Sequence, residues 1–164
     1  MIVASGGIRC WSGVTAQTFT TSFAKATPWS SGAALSPATA AGSAWAANSE
    51  GDLWVQPDPT NDRILVFTPG VYLVQGELAV SAGGASDVVA ALYAAGAQVL
   101  DATTEFTVAA SGKVNGSFQS ILSLTRTQAI SNTANAKLEL YLKALGGSTS
   151  IPIEYASMIA MRLE

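Results

Sequence analysis

The stretch that most restricts what this chain can fold into is residues 71–81, VYLVQGELAVS, in which Tyr72, Val74, Leu78 and Val80 alternate with Gln75, Glu77 and Ser81. A period of two sends successive side chains to opposite faces of a β-strand, so this segment is expected to bury one face and leave the other partly wet. Residues 64–67 form a short apolar run rich in β-branched side chains, and Pro69-Gly70 separates it from the longer segment. Pro69 offers no N–H to a ladder and Gly70 tolerates positive φ, so the two runs are expected to be strands of a hairpin that meet at a Pro-Gly corner.

The same reading extends along the chain. Strands are expected over 14–24, which is Thr-rich and carries Phe19 and Phe23, and over 52–56, 103–110, 113–125, 136–145 and 151–163. In 136–145, Leu138, Leu140 and Leu142 alternate with Glu139, Tyr141 and Lys143; in 151–163 the apolar set is Ile153, Tyr155, Ile159, Met161 and Leu163 against Glu154 and Arg162. Residues 88–99 are rich in alanine and admit a helix, but they sit between two glycine turns at a regular strand spacing, which favours a strand. About eight strands, glycine turns and almost no helix predict an all-β domain: an antiparallel β-sandwich, a jelly roll or related Greek key. The last strand is expected in the middle of a sheet. Ala79, Ala91, Ala95 and Ala160 are expected on outward faces, where small side chains admit a second subunit.

At 164 residues the chain fits one domain. Residues 1–13, with Gly6, Gly7 and Gly13 around Ile8, Cys10 and Trp11, read as an extended N-terminal arm that either frays or lies along a neighbour. Residues 14–164 make the sandwich, including a loop over 25–50 rich in Ala, Ser, Gly and Pro. Trp29, Leu35 and Trp45 in that loop imply that it is pinned to the body or to a partner.

Charged residues are 12% of the chain, against a typical ~25%, which leaves a surface of small, weakly polar side chains suited to burial against other subunits. There is no histidine and a single cysteine, Cys10, so intramolecular disulfides, His-dependent triads and nearly all zinc sites are excluded. Eight basic residues are scattered through a chain of net charge −3, and no basic stripe is available to neutralise phosphates, so no nucleic-acid partner is expected. No run reaches the ~20 apolar residues of a membrane span, and the N-terminus lacks a basic leader, so no membrane partner is expected and synthesis in a cytoplasm is.

Candidate chemistry is thin. Asp101 and Glu105 read as a solvated strand edge, and Ser22 with Lys25 as a chance Ser-x-x-Lys match without its helix. Asp58, Asn61 and Asp62 supply oxygens at close spacing but read as a turn lacking the glycine and distal glutamate of a calcium loop. Cys10 reads as packed or idle. No catalytic, cofactor-binding or metal-binding residue is assigned, and the chain is not expected to be an enzyme. Trp54 reads as edge filling. Ile8, Trp11, Trp29 and Trp45, in segments too small-chained to pack themselves, are the candidate partner-binding residues, since tryptophan anchors dominate interface energetics.

The order Phe67-Thr68-Pro69-Gly70-Val71-Tyr72, an alternating strand, the AAGAQV turn, Ser120-Ile121-Leu122-Ser123-Leu124, residues 138–142 and an apolar last strand resembles the globular head of complement-like and tumour-necrosis-factor-like proteins. The resemblance covers 62–163 and, weakly, the Phe19 strand; the Phe-to-Gly gap is shorter than in the complement pattern. It implies a ten- or eight-stranded jelly roll forming a compact homotrimer. The chain departs from secreted animal ligands in having no collagen stalk, signal peptide or cysteine framework. By analogy of fold and composition it looks more like the cement or decoration proteins of bacteriophage heads, or a trimeric head- or tail-fibre knob. That analogy implies a structural virion protein on the capsid exterior, made in the host cytoplasm, whose partners are two further copies of itself and the major capsid protein. The alternative is a knob that binds a host glycan or protein receptor.

Overall fold

The computed structural model describes residues 4–11, 16–28, 44–48, 55–81, 86–109, 112–125 and 137–163. In chain order the strands are β1 (Ala4–Trp11), β2 (Gln17–Phe19), β3 (Ala24–Lys25), β4 (Ala44–Asn48), β5 (Val55–Asp58), β6 (Arg63–Val66), β7 (Gly70–Ser81), β8 (Ser86–Ala94), β9 (Ala97–Val108), β10 (Lys113–Leu124), β11 (Lys137–Ala144), β12 (Thr149–Ile151) and β13 (Ile153–Arg162). They pair antiparallel into a five-stranded sheet, β10-β7-β13-β1-β4, and a six-stranded sheet, β5-β6-β11-β8-β9, in which β3 also pairs with β11; β12 and β2 form a separate pair. This is the expected all-β antiparallel sandwich, and its last strand, β13, lies inside a sheet between β7 and β1. Among the described residues no helix is long and apolar enough to cross a membrane.

The core lies between the sheets. From the five-stranded sheet come Tyr72, Val74, Leu78 and Val80 of β7, Phe118 and Leu124 of β10, and Ile153, Ala156, Met158 and Ala160 of β13. The six-stranded sheet contributes Ile64, Val66, Val88, Ala90, Leu92, Ala102, Val108, Leu138, Leu140 and Leu142. In β7, β10 and β11 these are the apolar positions that the period of two picks out.

The structure departs from the sequence reading in several places. Strands β6 and β7 are not a hairpin: β6 pairs with β5 and β11, β7 with β10 and β13. The Pro-Gly corner carries the chain from one sheet to the other. Tyr72 donates its hydroxyl hydrogen to the Thr68 carbonyl at 2.6 Å, and Arg162 Nη2 donates to the Pro69 carbonyl at 3.1 Å, so the crossing is tied to the strand that comes after it and to that strand's neighbour β13. Over Ala4–Trp11 the expected arm is a sheet strand, bonded to β13 on one side and β4 on the other, and β4 falls within the expected 25–50 loop. Residues 88–99 avoid a helix but are two strands, because Ala95 (φ 51°) and Gly96 (φ 81°) make a two-residue turn with both central residues at positive φ, closing a hairpin at Ala94↔Ala97. Ala91 and Ala160 are buried in this chain rather than offered outward.

The last strand differs most. Ile153 pairs with Val80 and Tyr155 with Ala79, so Glu154 is an extra residue in the ladder. Glu154 accepts a hydrogen bond from Ser81 Oγ at 2.8 Å and lies 3.4 Å from Lys113 Nζ. Past this bulge the alternation changes phase. Ala156, Met158 and Ala160 take the core positions, while Tyr155, Ile159 and Met161 share the other face with Ser157.

Candidate functional site

Two outer faces bound the sandwich, and the chain treats them differently. On the six-stranded sheet, residues 20–26 run along β11: Ala144 N–H donates to the Thr20 carbonyl at 2.8 Å, Ala26 N–H to the Leu140 carbonyl at 2.9 Å, and Lys25 pairs with Tyr141. Phe23 sets its ring edge-on to Tyr93 at 5.9 Å between centroids, Tyr93 stacks on Tyr141 at 3.9 Å, and Lys143 Nζ sits 4.6 Å from the centre of the Phe23 ring. Glu139, 1% exposed, is held between Lys25 Nζ at 2.6 Å and Lys137 Nζ at 3.1 Å. Burial, Glu139 and Tyr93 all push the Tyr141 hydroxyl above its ordinary range. Residues 20–26 thus form a strap along the edge of β11, in the plane of the sheet, and the Phe23 ring reaches the aromatics of its outer face.

The outer face of the five-stranded sheet is described on β10, β7 and β13. Register lays its side chains in rows across β10, β7 and β13: Ile121, Leu73 and Met161; then Gln119, Gln75 and Ile159; then Ser117, Glu77 and Ser157; then Asn115, Ala79 and Tyr155. Ile121 is 62% exposed, and Asn115, Ser117, Gln119 and Glu77 are exposed. Gln75 Nε2 donates to Gln119 Oε1 at 2.8 Å. A hollow of about 490 Å³ opens between the rows, bordered by Gln75, Glu77, Ser117, Gln119, Tyr155 and Ile159. At one end Lys113 and Ser81 draw the Glu154 carboxyl below its ordinary range, Ser81's hydrogen bond being the largest cause. With five strands ~4.8 Å apart and about nine paired residues at ~3.4 Å rise, the face measures on the order of 700 Å². That is close to one side of a standard protein–protein interface, about 800 Å².

The structure brings Ile8, Trp11 and Trp45 onto two paired strands, β1 and β4, and places the other described candidates elsewhere in the fold. Ile8 and Trp11 are backbone members of β1, opposite Met158 and Tyr155; Trp45 in β4 is opposite Gly7. Trp29 lies outside the described residues. Asp101 accepts a hydrogen bond from Ser120 Oγ, with both carboxylate oxygens 3.1 Å away, and Glu105 is exposed on the same strand. Lys25 donates to Glu139 and to the Asn61 carbonyl, each at 2.6 Å, so its ammonium is engaged away from Ser22. Asp58 is turned onto Asn61 and onto Arg63 Nε at 2.8 Å; burial raises its carboxyl's affinity for a proton, but Arg63 and Asn61 together outweigh this and hold it below the ordinary range. Asp62 is buried beside it at φ 48°. Among the described residues no group of three metal-binding side chains gathers. The sequence reading missed the row Ile121–Leu73–Met161. Its signal was Ile121, out of phase with Phe118, Leu122 and Leu124.

No protein-family model matches the chain, and no curated protein sequence matches it either. Solved structures do. The PRD1 vertex protein P5 is similar over 100% of this chain and 99% of that one, at 10% identity and a TM-score of 0.52. The Eiger tumour necrosis factor of S. frugiperda is similar over 100% of this chain and 94% of that one, at 11% identity and a TM-score of 0.50. The globular domain of zebrafish complement 1qA gives 98% and 97% coverage, 12% identity and a TM-score of 0.49. At such identities the likeness is one of fold, and the fold is the jelly roll that the sequence resemblance implies.

Proposed function

We propose that the chain is a structural virion protein, a homotrimeric cement or decoration protein that binds and stabilises a bacteriophage capsid from the outside. The observation that carries this reading is the outer face of the five-stranded sheet, over which none of the described segments runs. It is a broad surface on which Leu73, Ile121, Ile159 and Met161 lie among amide, hydroxyl and small side chains, and nothing described beside it is arranged for catalysis. The likeness to a phage vertex protein supports the virion setting through its fold. Three such faces packed around one axis bury the apolar rows, and closed symmetry multiplies each weak contact with the lattice. Attachment to the major capsid protein is assigned to Ile8, Trp11, Trp29 and Trp45, because tryptophan anchors in small-chained segments suit an interface. Light scattering on the purified protein is expected to give three chain masses, and the protein is expected to co-sediment with expanded capsids. A monomer at working concentration contradicts the first expectation, and alanine at all four attachment residues without loss of co-sedimentation contradicts the second.

One observation favours the alternative, a fibre knob that binds a host glycan or protein. The hollow on the sheet face presents amides, hydroxyls and a carboxylate beside Tyr155, the kind of lining that hydrogen-bonds a sugar and stacks on it. Saturable binding of host-surface glycans that is lost in Tyr155→Ala would move the reading there.

A further inference from the structure

We infer that Leu100 is the anchor by which each copy of the chain grips the next, packing on the apolar row Ile121–Leu73–Met161 of a neighbouring copy. The inference rests on the proposed homotrimer and names the contact that closes it. In a ring of three every contact is heterologous, one patch of a copy meeting a different patch of the next, whereas a patch that meets itself closes a pair. The outer sheet face therefore needs a second patch to meet.

Leu100 is the centre of that patch. At 81% exposed it is the most exposed large apolar side chain among the described residues, and at that exposure it is not packed on its own chain's row. The ladder of β8 and β9 puts it there. From Ala91 to Tyr93 β8 advances two residues, while from Gln98 to Thr103 β9 advances five, so three residues of β9 are extra and the strand bulges. The bulge is tied down on both sides of the leucine. Val99 packs against the core and Ala102 is buried in it; Asp101 accepts from Ser120 Oγ of β10, 3.1 Å from each carboxylate oxygen; and Gln98 Nε2 donates to Thr103 Oγ1 across the neck at 3.3 Å. The backbone beneath Leu100 is thus ordered before a partner arrives, and a side chain presented from an ordered backbone loses little further entropy on binding. The receiving row matches it in chemistry. Ile121 is 62% exposed beside Leu73 and Met161, Ile159 lies in the next row, and on β10, β7 and β13 neither row holds a charge. A leucine set on that row removes apolar surface from water on both copies. The bond between Asp101 and Ser120 joins the bulge to β10 one residue from Leu100 and one from Ile121, so the two patches lie close together, as a contact repeated about one nearby axis requires.

The test is the mass and association constant of the full chain, measured by sedimentation for the wild type, Leu100→Ala, Leu100→Asp, Ile121→Lys and the Leu100→Asp, Ile121→Lys double variant. Leu100→Ala, which adds no charge and sits at an exposed position that the fold does not need, is expected to weaken association about tenfold per interface. Leu100→Asp and Ile121→Lys are each expected to weaken it about a hundredfold, and the double variant to recover at least about tenfold of that, because the new carboxylate and ammonium meet across the interface. If the Leu100 variants form trimers as tightly as the wild type, the inference is wrong while the homotrimer stands. Losses that simply add in the double variant put the leucine on some other surface and overturn it as well. So does a Leu100→Asp trimer of undiminished stability that no longer co-sediments with capsids, since the leucine then faces the lattice. A monomeric wild type overturns the inference and the homotrimer together.

Discussion

Tyr72 shows how one side chain holds a jelly roll together. It is fully buried, and its hydroxyl donates to the Thr68 carbonyl at the point where the chain changes sheets. Burial raises its pKa to about 12, against a smaller opposing pull from Arg162. A phenol whose proton is held more tightly in the folded state adds stability in full below the unfolded value of about 10, and loses it as pH rises from there toward the folded value. Alkaline unfolding of the wild type is therefore expected to lose on the order of 2 kcal/mol between about pH 10 and pH 12, and Tyr72→Phe is expected to lack that limb. At neutral pH the same variant costs about 1–2 kcal/mol, because the Thr68 carbonyl is left without its donor. Gly76 is a second such position. A Cβ there overlaps the ring of Phe118, which packs over it from the paired position on β10. Gly76→Ala is expected to cost about 1–3 kcal/mol in urea unfolding, and an unchanged midpoint would show that the ring moves freely. Neither role was legible beforehand, although both residues were in the alternation, because the partner of each lies on another segment.

At the level of elements, the strap over residues 20–26 explains why a glutamate is buried. Periodicity put Glu139 on the wet side of β11, and on an isolated strand it would be wet. The strap brings Lys25 to within 2.6 Å of it, and Lys137 completes the enclosure. Removing one cation from such a site is costly, since a buried charge is left partly uncompensated. Lys25→Ala is expected to destabilise the fold by about 3 kcal/mol, while Lys25→Ala with Glu139→Leu recovers most of the loss. Additive losses in thermal or urea unfolding would mean that the two do not act as a pair. The bulge at Glu154 also acts at this scale. The alternation of residues 151–163 was real but was read in a single phase. One inserted residue, bonded to Ser81 and facing Lys113, turns Tyr155, Ile159 and Met161 away from the core and onto the face proposed as an interface.

For the whole molecule, the consequence of the proposed homotrimeric packing is that stability depends on protein concentration. The thermal midpoint is expected to rise with each tenfold increase in concentration, because mass action favours the associated folded state. A midpoint that does not move over a hundredfold range contradicts an obligate trimer. What the sequence determined by itself was the class of fold. Period-two patterns in β7, β9, β10 and β11, turn residues at Pro69 and Gly146, and the near absence of helix formers are local properties, and local properties survive without knowledge of the partner strand. Only the tertiary structure decided which strands share a sheet, that residues 4–11 are a strand within one, and which side of the last strand is buried. Hydrogen bonds between segments far apart in the chain set those features, and a bulge that re-phases a strand costs so little locally that only the register with its neighbour reveals it.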